Sequence, residues 1–367
     1  MTAGTDRPVA VLGGGAGGHA MAYYLASLGR RVKWWLANAE DAAAIADAGS
    51  VTAIGAFAGS RALDRVSDDV GAVLADAGLV FIVLPANAHD AVAAKIAPHL
   101  RGDETILLNP GRTGGAVCFR RAIAGFRPAR IPTVGETQSL IFTCRRIRPG
   151  VVDFLKFKNF GQCAFLGPVD GDAAAFLRSA FPQMRFETST LATGLANVGA
   201  MLHPAPVLFN IGRIEDPGAP YLHYYEGFTP TVASFIEGMD GERLRLAEAF
   251  GFETANILEW HELCYGLRGK TLFETFRLNQ RYASLHAPDS LDHRYIHEDV
   301  PTGLVPMIAL AEAVGHDVPC MKIILALADL VLDRDFRRLG RNAAAMGFAA
   351  GASVAEITGL FAGAGGK

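Results

Sequence analysis

The chain has 367 residues, 50% of them hydrophobic and only 19% charged, which suits two ordinary domains that each bury a core and excludes a disordered chain. A formal net charge of −3 supplies no basic field for nucleic acid, and no run of like charges reads as a tail or a membrane-surface helix. Five scattered cysteines, none in a CxxC spacing, argue against a disulfide framework and a metal site, and for a reducing compartment.

The opening MTAGTDRPVAVLGGG runs directly into a strand with no basic-then-apolar leader, and the apolar run LVFIVL is too short to span a bilayer. The expectation is a cytoplasmic protein with small-molecule partners and neither membrane nor nucleic-acid contacts. A homodimer is compatible with it.

Strand and helix signals then alternate, the pattern of a parallel sheet covered by helices. Strands are predicted at 9–12, 32–36, 51–56, 79–84, 105–108 and 130–134, with a further strand region at 154–166. Helices are predicted at 20–28, 41–48, 69–77 and 88–100. From about residue 191 helical periodicity dominates, with helices expected at 191–202, 229–249, 253–267, 302–313 and 321–332. The fold class is therefore α/β, an N-terminal Rossmann doubly wound parallel sheet with an all-α C-terminal domain, divided as 1–188 and 189–367. The Ala/Gly-rich end from Ala343 to Lys367 reads as one small helix around 354–361 that then frays.

Gly13-x-Gly15-x-x-Gly18 follows a strand and opens a helix, as the dinucleotide fingerprint requires. Gly13 permits the tight turn, Gly15 leaves room for a pyrophosphate, and Gly18 lets the helix pack on the strand. Ala16 at the helix start, Asn38 beyond the second strand and Pro85 after LVFIVL complete the expected cofactor-binding set. Counting along the second strand, the position of a ribose-binding acid falls on Leu36, followed by Ala37 and Asn38. No acid is there to repel a 2′-phosphate, and no arginine directly follows to clamp one. The lean is to NADP, with NAD remaining open.

Rossmann domains serve many chemistries, so function must be read from the helical part. There, Asn197-Val-Gly-Ala-Met-Leu-His203-Pro204-Ala-Pro206 must kink or stop a helix, which leaves His203 at a helix end facing either a cleft or the core. Arg294-Tyr-Ile-His-Glu298-Asp299-Val-Pro301 leads into a helix, so its acids are caps or site residues and Arg294 a surface charge or an anion clamp. Thr137 lies in Gly135-Glu-Thr-Gln-Ser-Leu140, which follows the strand-like 131–134 and is either an ordinary strand-end turn or part of the ligand crevice that strand ends of such sheets face.

The stretches NVGAMLHP, YYEGFTPTVASFIEGMDGERLRLAEAFG and RYIHEDVPTGLVPMIALAEAVG resemble the helical domain of the octopine and nopaline dehydrogenases. Upstream, NPGRTGGA and GETQSLIFTCR resemble the same family, so the likeness covers nearly the whole chain. The resemblance implies His203 as acid/base assisted by Asp299, Arg294 as the ligand of a substrate carboxylate, and Thr137 and Asn197 beside the substrate. Family members can carry glutamine at Arg112, which is assigned no substrate role. The implied reaction is NAD(P)H-dependent reductive condensation of a pyruvate-like 2-oxo acid with the amino group of an amino acid, through an imine. Two alternatives stand beside it: a two-domain reductase of a small keto or hydroxy acid, and a non-catalytic nucleotide-binding protein. The first usually relies on a lysine in the helical domain, and residues 191–206 contain none. The second leaves His203, Arg294 and Asp299 without a use.

Overall fold

The computed structural model describes residues 7–216, 218 and 220–362. The chain divides into two compact units. One takes the chain up to Gly111, Gly115–Thr190 and the terminal residues from Ala362; the other takes Leu191–Phe361 together with Arg112–Gly114.

The strands of the first unit are β1 (Val9–Leu12), β2 (Val32–Trp35), β3 (Ser50–Gly55), β4 (Gly59–Ala62), β5 (Arg65–Ser67), β6 (Leu79–Ile82) and β7 (Thr105–Leu108), then β8 (Thr133–Thr137), β9 (Phe142–Arg148), β10 (Val151–Phe157), β11 (Gly161–Leu166) and β12 (Met184–Phe186). Eight of them form a sheet in the order β12-β11-β8-β7-β6-β1-β2-β5. Its centre is parallel, with Val9 of β1 opposite both Val32 and Leu79. The sheet is not parallel throughout, because β11 runs antiparallel to β8. The central strands β1, β6 and β7 are buried along their whole length, which is why they read as unbroken apolar runs.

A second sheet, β4-β3-β10-β9, departs from the expected alternation. Residues 51–56 were expected to join the main sheet; they pair instead with β4 and β10. Residues 154–166 form parts of two strands rather than one. Helix α1 (Ala16–Ser27) packs into the core with both sheets: Met21 and Leu25 share one cluster with Trp34 and Phe81 of the large sheet and Phe142 and Phe154 of the small one. Helix α2 (Ala39–Ala48) starts on the side-chain cap of Asn38, which accepts from the Asp41 N–H.

The second unit is built on the twenty-residue helix Pro230–Ala249, capped by Thr229. Its Arg243 is fully buried, paired with Asp240 and donating to the carbonyls of Leu195 and Ala255. Its Glu242 accepts from the N–H groups of Cys320 and Met321, satisfying the start of helix Pro319–Leu332. The helix expected at 191–202 is broken into Thr190–Leu195 and Gly199–Leu202. At the C-terminal end, Ala343–Met346 and Val354–Phe361 are helical, while residues 363–367, where fraying was expected, lie outside the described residues. Among the described residues no helix is long and apolar enough to cross a membrane, and no cluster of His, Cys, Asp and Glu could hold a metal ion.

Candidate active site

In the first unit the glycine loop links β1 to α1. A Cβ on Gly13, whose φ is 139°, would stand 2.2 Å from the Val83 carbonyl oxygen, and one on Gly18 would stand 1.9 Å from the Gly13 oxygen. Only glycine fits at either position. A Cβ on Gly15 would meet nothing within 4 Å. That opening lies before the N-terminus of α1, where the N–H groups of the first turn point outward, so the loop fits a dinucleotide pyrophosphate. Ala16 opens α1, Asn38 caps α2, and Pro85 precedes the short turn Ala86–Ala88 after β6.

Two residues that sequence reading passed over shape this loop. His19 accepts from the Gly150 N–H through Nε2 at 3.1 Å, so its proton sits on Nδ1, which donates to the Gly15 oxygen at 2.9 Å. Burial lowers its pKa to about 4, and it is neutral at physiological pH. Arg146 donates to the Gly14 oxygen at 3.0 Å and to Asp41 Oδ2 at 2.8 Å. Leu36, by contrast, is only 1% exposed and lies over Gly14, packed into the core.

The chemistry of the second unit gathers around two proline-broken helices. Pro204 and Pro206 lack the N–H groups that would continue helix Gly199–Leu202, and His203 stands at the break, 15% exposed at its side chain. In the segment that begins with helix Arg294–His297, Pro301 widens the backbone into a π-helical stretch, Val300–Leu304. Pro306 then leaves the Thr302 carbonyl without its helical donor, and the Thr113 N–H takes it at 3.1 Å. That bond anchors Arg112–Gly114, with Arg112 itself in the left-handed region at φ 65°.

The result is a chain of alternating charges. Arg294 Nη1 lies 3.1 Å from Glu298 Oε2, and Arg112 Nε lies 3.1 Å from Glu298 Oε1. Arg112 Nη1 is 3.2 Å from Asp299 Oδ1, and Asp299 Oδ2 is 2.8 Å from His203 Nδ1. Gly199 makes room for it: a Cβ there would stand 2.3 Å from Arg112 Nη1. Asn197 supports the same group, with Oδ1 at 3.5 Å from Arg112 Nη1 and Nδ2 donating to Thr113 Oγ1 at 3.3 Å. Thr137 belongs to the first unit, where its hydroxyl lies 2.9 Å from Asn109 Oδ1 and 3.0 Å from the Ser139 oxygen.

Burial works against the charge on Asp299, but Arg112 and then His203 outweigh it and hold the carboxyl below its usual range. Burial likewise works against Arg112, and Asp299 and Glu298 together push its pKa up. An ionised Asp299 can only accept, so His203 must carry its proton on Nδ1, and Nε2 is the nitrogen that gains and loses a proton. Burial draws the His203 pKa below 6.5; Asp299 opposes the shift, while Arg112 and Arg294 add to it. The ring of Tyr295 stacks on His203 at 4.3 Å with 12° between planes. His223 packs on the same tyrosine at 5.0 Å; it is fully buried, its pKa is lowered by burial to about 3, and neither ring nitrogen has a hydrogen-bond partner among the described residues.

Such an arrangement can move a proton at His203 Nε2 beside a cation, Arg294, whose side chain is 54% exposed and able to receive an anion. Residues 187–332 match the NAD/NADP octopine/nopaline dehydrogenase alpha-helical domain, and residues 8–110 match the NAD-dependent glycerol-3-phosphate dehydrogenase N-terminus. The chain is 39% identical to an opine dehydrogenase of Arthrobacter sp. (strain 1C), over 93% of this chain and 95% of that protein. Among solved structures, octopine dehydrogenase in complex with NADH and agmatine aligns with a TM-score of 0.80 at 20% identity, over 96% of this chain and 98% of that one. Yersinopine dehydrogenase with NADP+ bound aligns at 0.74 and 16% identity, over 97% and 99%. With the dinucleotide loop and the histidine–aspartate dyad both in place, the chain belongs to the opine dehydrogenase family, NAD(P)-dependent oxidoreductases acting on CH–NH groups.

Proposed function

We propose that this chain condenses a pyruvate-like 2-oxo acid with the α-amino group of an amino acid and reduces the resulting imine to an N-(carboxyalkyl) amino acid. Residues 1–188 serve as the NAD(P)-binding domain and 189–367 as the substrate and catalytic domain, in the cytoplasm, a placement supported by five cysteines that form no disulfide. The carrying observation is the 2.8 Å contact of His203 Nδ1 with a buried, ionised Asp299, itself anchored by Arg112. Bound NAD(P)H supplies the hydride that reaches the imine carbon.

The chain's residues handle protons and charge. Amine and oxo acid join with loss of water: protonated His203 Nε2 gives its proton to the carbonyl oxygen as the amine attacks. The same nitrogen, now neutral, takes up the proton that the attached amine sheds and passes it to the hydroxyl, which leaves as water to give the iminium. Asp299 holds the ring in one tautomer and stabilises its cationic form. Arg294 receives a reactant carboxylate through its remaining donors, while Glu298 accepts from its Nη1. Asn197 acts on substrate indirectly, by holding Arg112 and Thr113. Thr137, whose hydroxyl proton is engaged at its own strand end, offers substrate an acceptor oxygen only.

A screen of amino acids against pyruvate, glyoxylate and 2-oxoglutarate, followed by cofactor absorbance, tests this reading. Cofactor oxidation should require oxo acid and amine together. Equal rates with an oxo acid alone would make the chain a keto-acid reductase instead.

A further inference from the structure

Clamping a 2′-phosphate calls for a cation near the end of the second Rossmann strand, and the residues after β2 supply none: Leu36 is buried, and Ala37 and Asn38 are uncharged. The small sheet supplies one from more than a hundred residues away. Arg146 lies on β9, paired with Val152 of β10, and its guanidinium bridges the Gly14 carbonyl oxygen in the glycine loop and Asp41 in the first turn of α2. It is thereby fixed between the two elements that flank a bound dinucleotide's adenosine half. Its side chain is 32% exposed and that of Asp41 19%, so the pair is open to solvent on one side.

We propose that Arg146 is the ligand of the 2′-phosphate of NADP(H), and that this chain uses NADPH at least as well as NADH. The inference rests on the dinucleotide reading of the glycine loop and deepens it. Of the two acids in the first turn of α2, Glu40 and Asp41, the one that pairs with Arg146 argues for the assignment once its charge is followed. Asp41 by itself would accept from a ribose 2′-hydroxyl and repel a phosphate, but Arg146 neutralises it at 2.8 Å. The two hydrogen bonds leave the guanidinium with donors to spare, and a planar fork of donors matches phosphate oxygens. Asn38 at the cap of α2 adds an amide to the same edge, its Oδ1 already committed to the Asp41 N–H.

Calorimetric titration with 2′,5′-ADP and with 5′-AMP tests this without turnover. The wild-type protein should bind 2′,5′-ADP more tightly, with an affinity that falls as salt rises. Arg146→Gln should weaken 2′,5′-ADP by tenfold or more and 5′-AMP by threefold or less, and NADPH against NADH should follow the same split. Arg146→Lys should retain part of the preference. A thermal melt of each variant separates a folding defect from a binding one. Equal losses for both nucleotides would make Arg146 a tether between the small sheet and α2, and no loss for either would remove it from the site. If NADH binds and 2′,5′-ADP does not, the assignment fails while the dehydrogenase reading stands; if neither dinucleotide binds, that reading fails with it.

Discussion

Arg112 Nη1 and Asp299 Oδ1 lie 3.2 Å apart, both buried, and this contact decides how the His203 dyad behaves. A buried carboxylate without a cation would be driven toward its neutral form and could no longer orient an imidazole. Arg112 keeps Asp299 ionised, and Gly199 keeps the space in which Arg112 sits.

The dyad is tested first by removing its titrating ring. His203→Ala is expected to lower turnover by about a hundredfold or more, the loss typical of a general acid/base. Nucleotide affinity should stay within a factor of about three, since the glycine loop belongs to the other unit. Near-normal turnover would strike His203 from the mechanism.

The charges around His203 predict opposite movements of the pH profile. On the proposed mechanism His203 is protonated in the free enzyme in the reductive direction, so kcat/KM should fall as pH rises through its pKa. Asp299 raises that pKa, and Arg112 and Arg294 lower it. Asp299→Asn should therefore move the limb to more acidic pH and depress the rate at pH 7, whereas Arg294→Gln, which leaves Arg112 holding Asp299 ionised, should move it toward neutral. Shifts of the same sign in both variants would contradict the charge chain.

Arg294 separates binding from proton transfer. Arg294→Lys keeps the charge but loses the two-pronged geometry toward a carboxylate, so KM for an acidic reactant should rise with a smaller fall in kcat. An unchanged KM for every acidic reactant would return Arg294 to the surface.

Gly199→Ala isolates the packing of the site. Alanine is favoured over glycine in a helix by about 1 kcal/mol, so propensity alone predicts a stabilised protein. The clash with Arg112 at 2.3 Å predicts the reverse, a net loss of roughly 1–3 kcal/mol by urea unfolding, together with reduced turnover. A stabilised, fully active variant would refute the seat assigned to Arg112.

The glycine loop carries its own pH signature through His19. Its folded pKa, near 4, lies below the ordinary 6.5, so the unfolded chain binds the extra proton first. The stability that neutral His19 contributes is complete above about pH 6.5 and is lost as pH falls toward 4, on the order of 3 kcal/mol over that window. His19→Gln, which can still donate to Gly15 and accept from Gly150, should lose less stability between pH 7.5 and 4.5 than the wild type. Identical losses would show that His19 does not titrate as its burial implies.

What the sequence by itself determined is whatever depends on neighbours along the chain. The GxGxxG turn, the buried runs at β1, β6 and β7, the proline break at His203 and the passage from alternating elements to helices all follow from local periodicity and backbone chemistry. Resemblance in the residues around His203, Arg294 and Asp299 carried the family as well. What only the tertiary structure decided is the company each of these residues keeps. Arg112 reaches Asp299 across 187 positions, and Arg146 reaches Gly14 across 132, distances over which no periodicity carries information. The small sheet was missed because β4 is short and mostly exposed and β9 is largely polar, so neither has the apolar pattern that marks a strand. The packing of Leu36 over Gly14 was not legible because counting along a strand gives position but not contacts. Charge neutralisation, tautomer and pKa arise from those long-range encounters, and they turn a recognisable set of residues into groups with defined protonation.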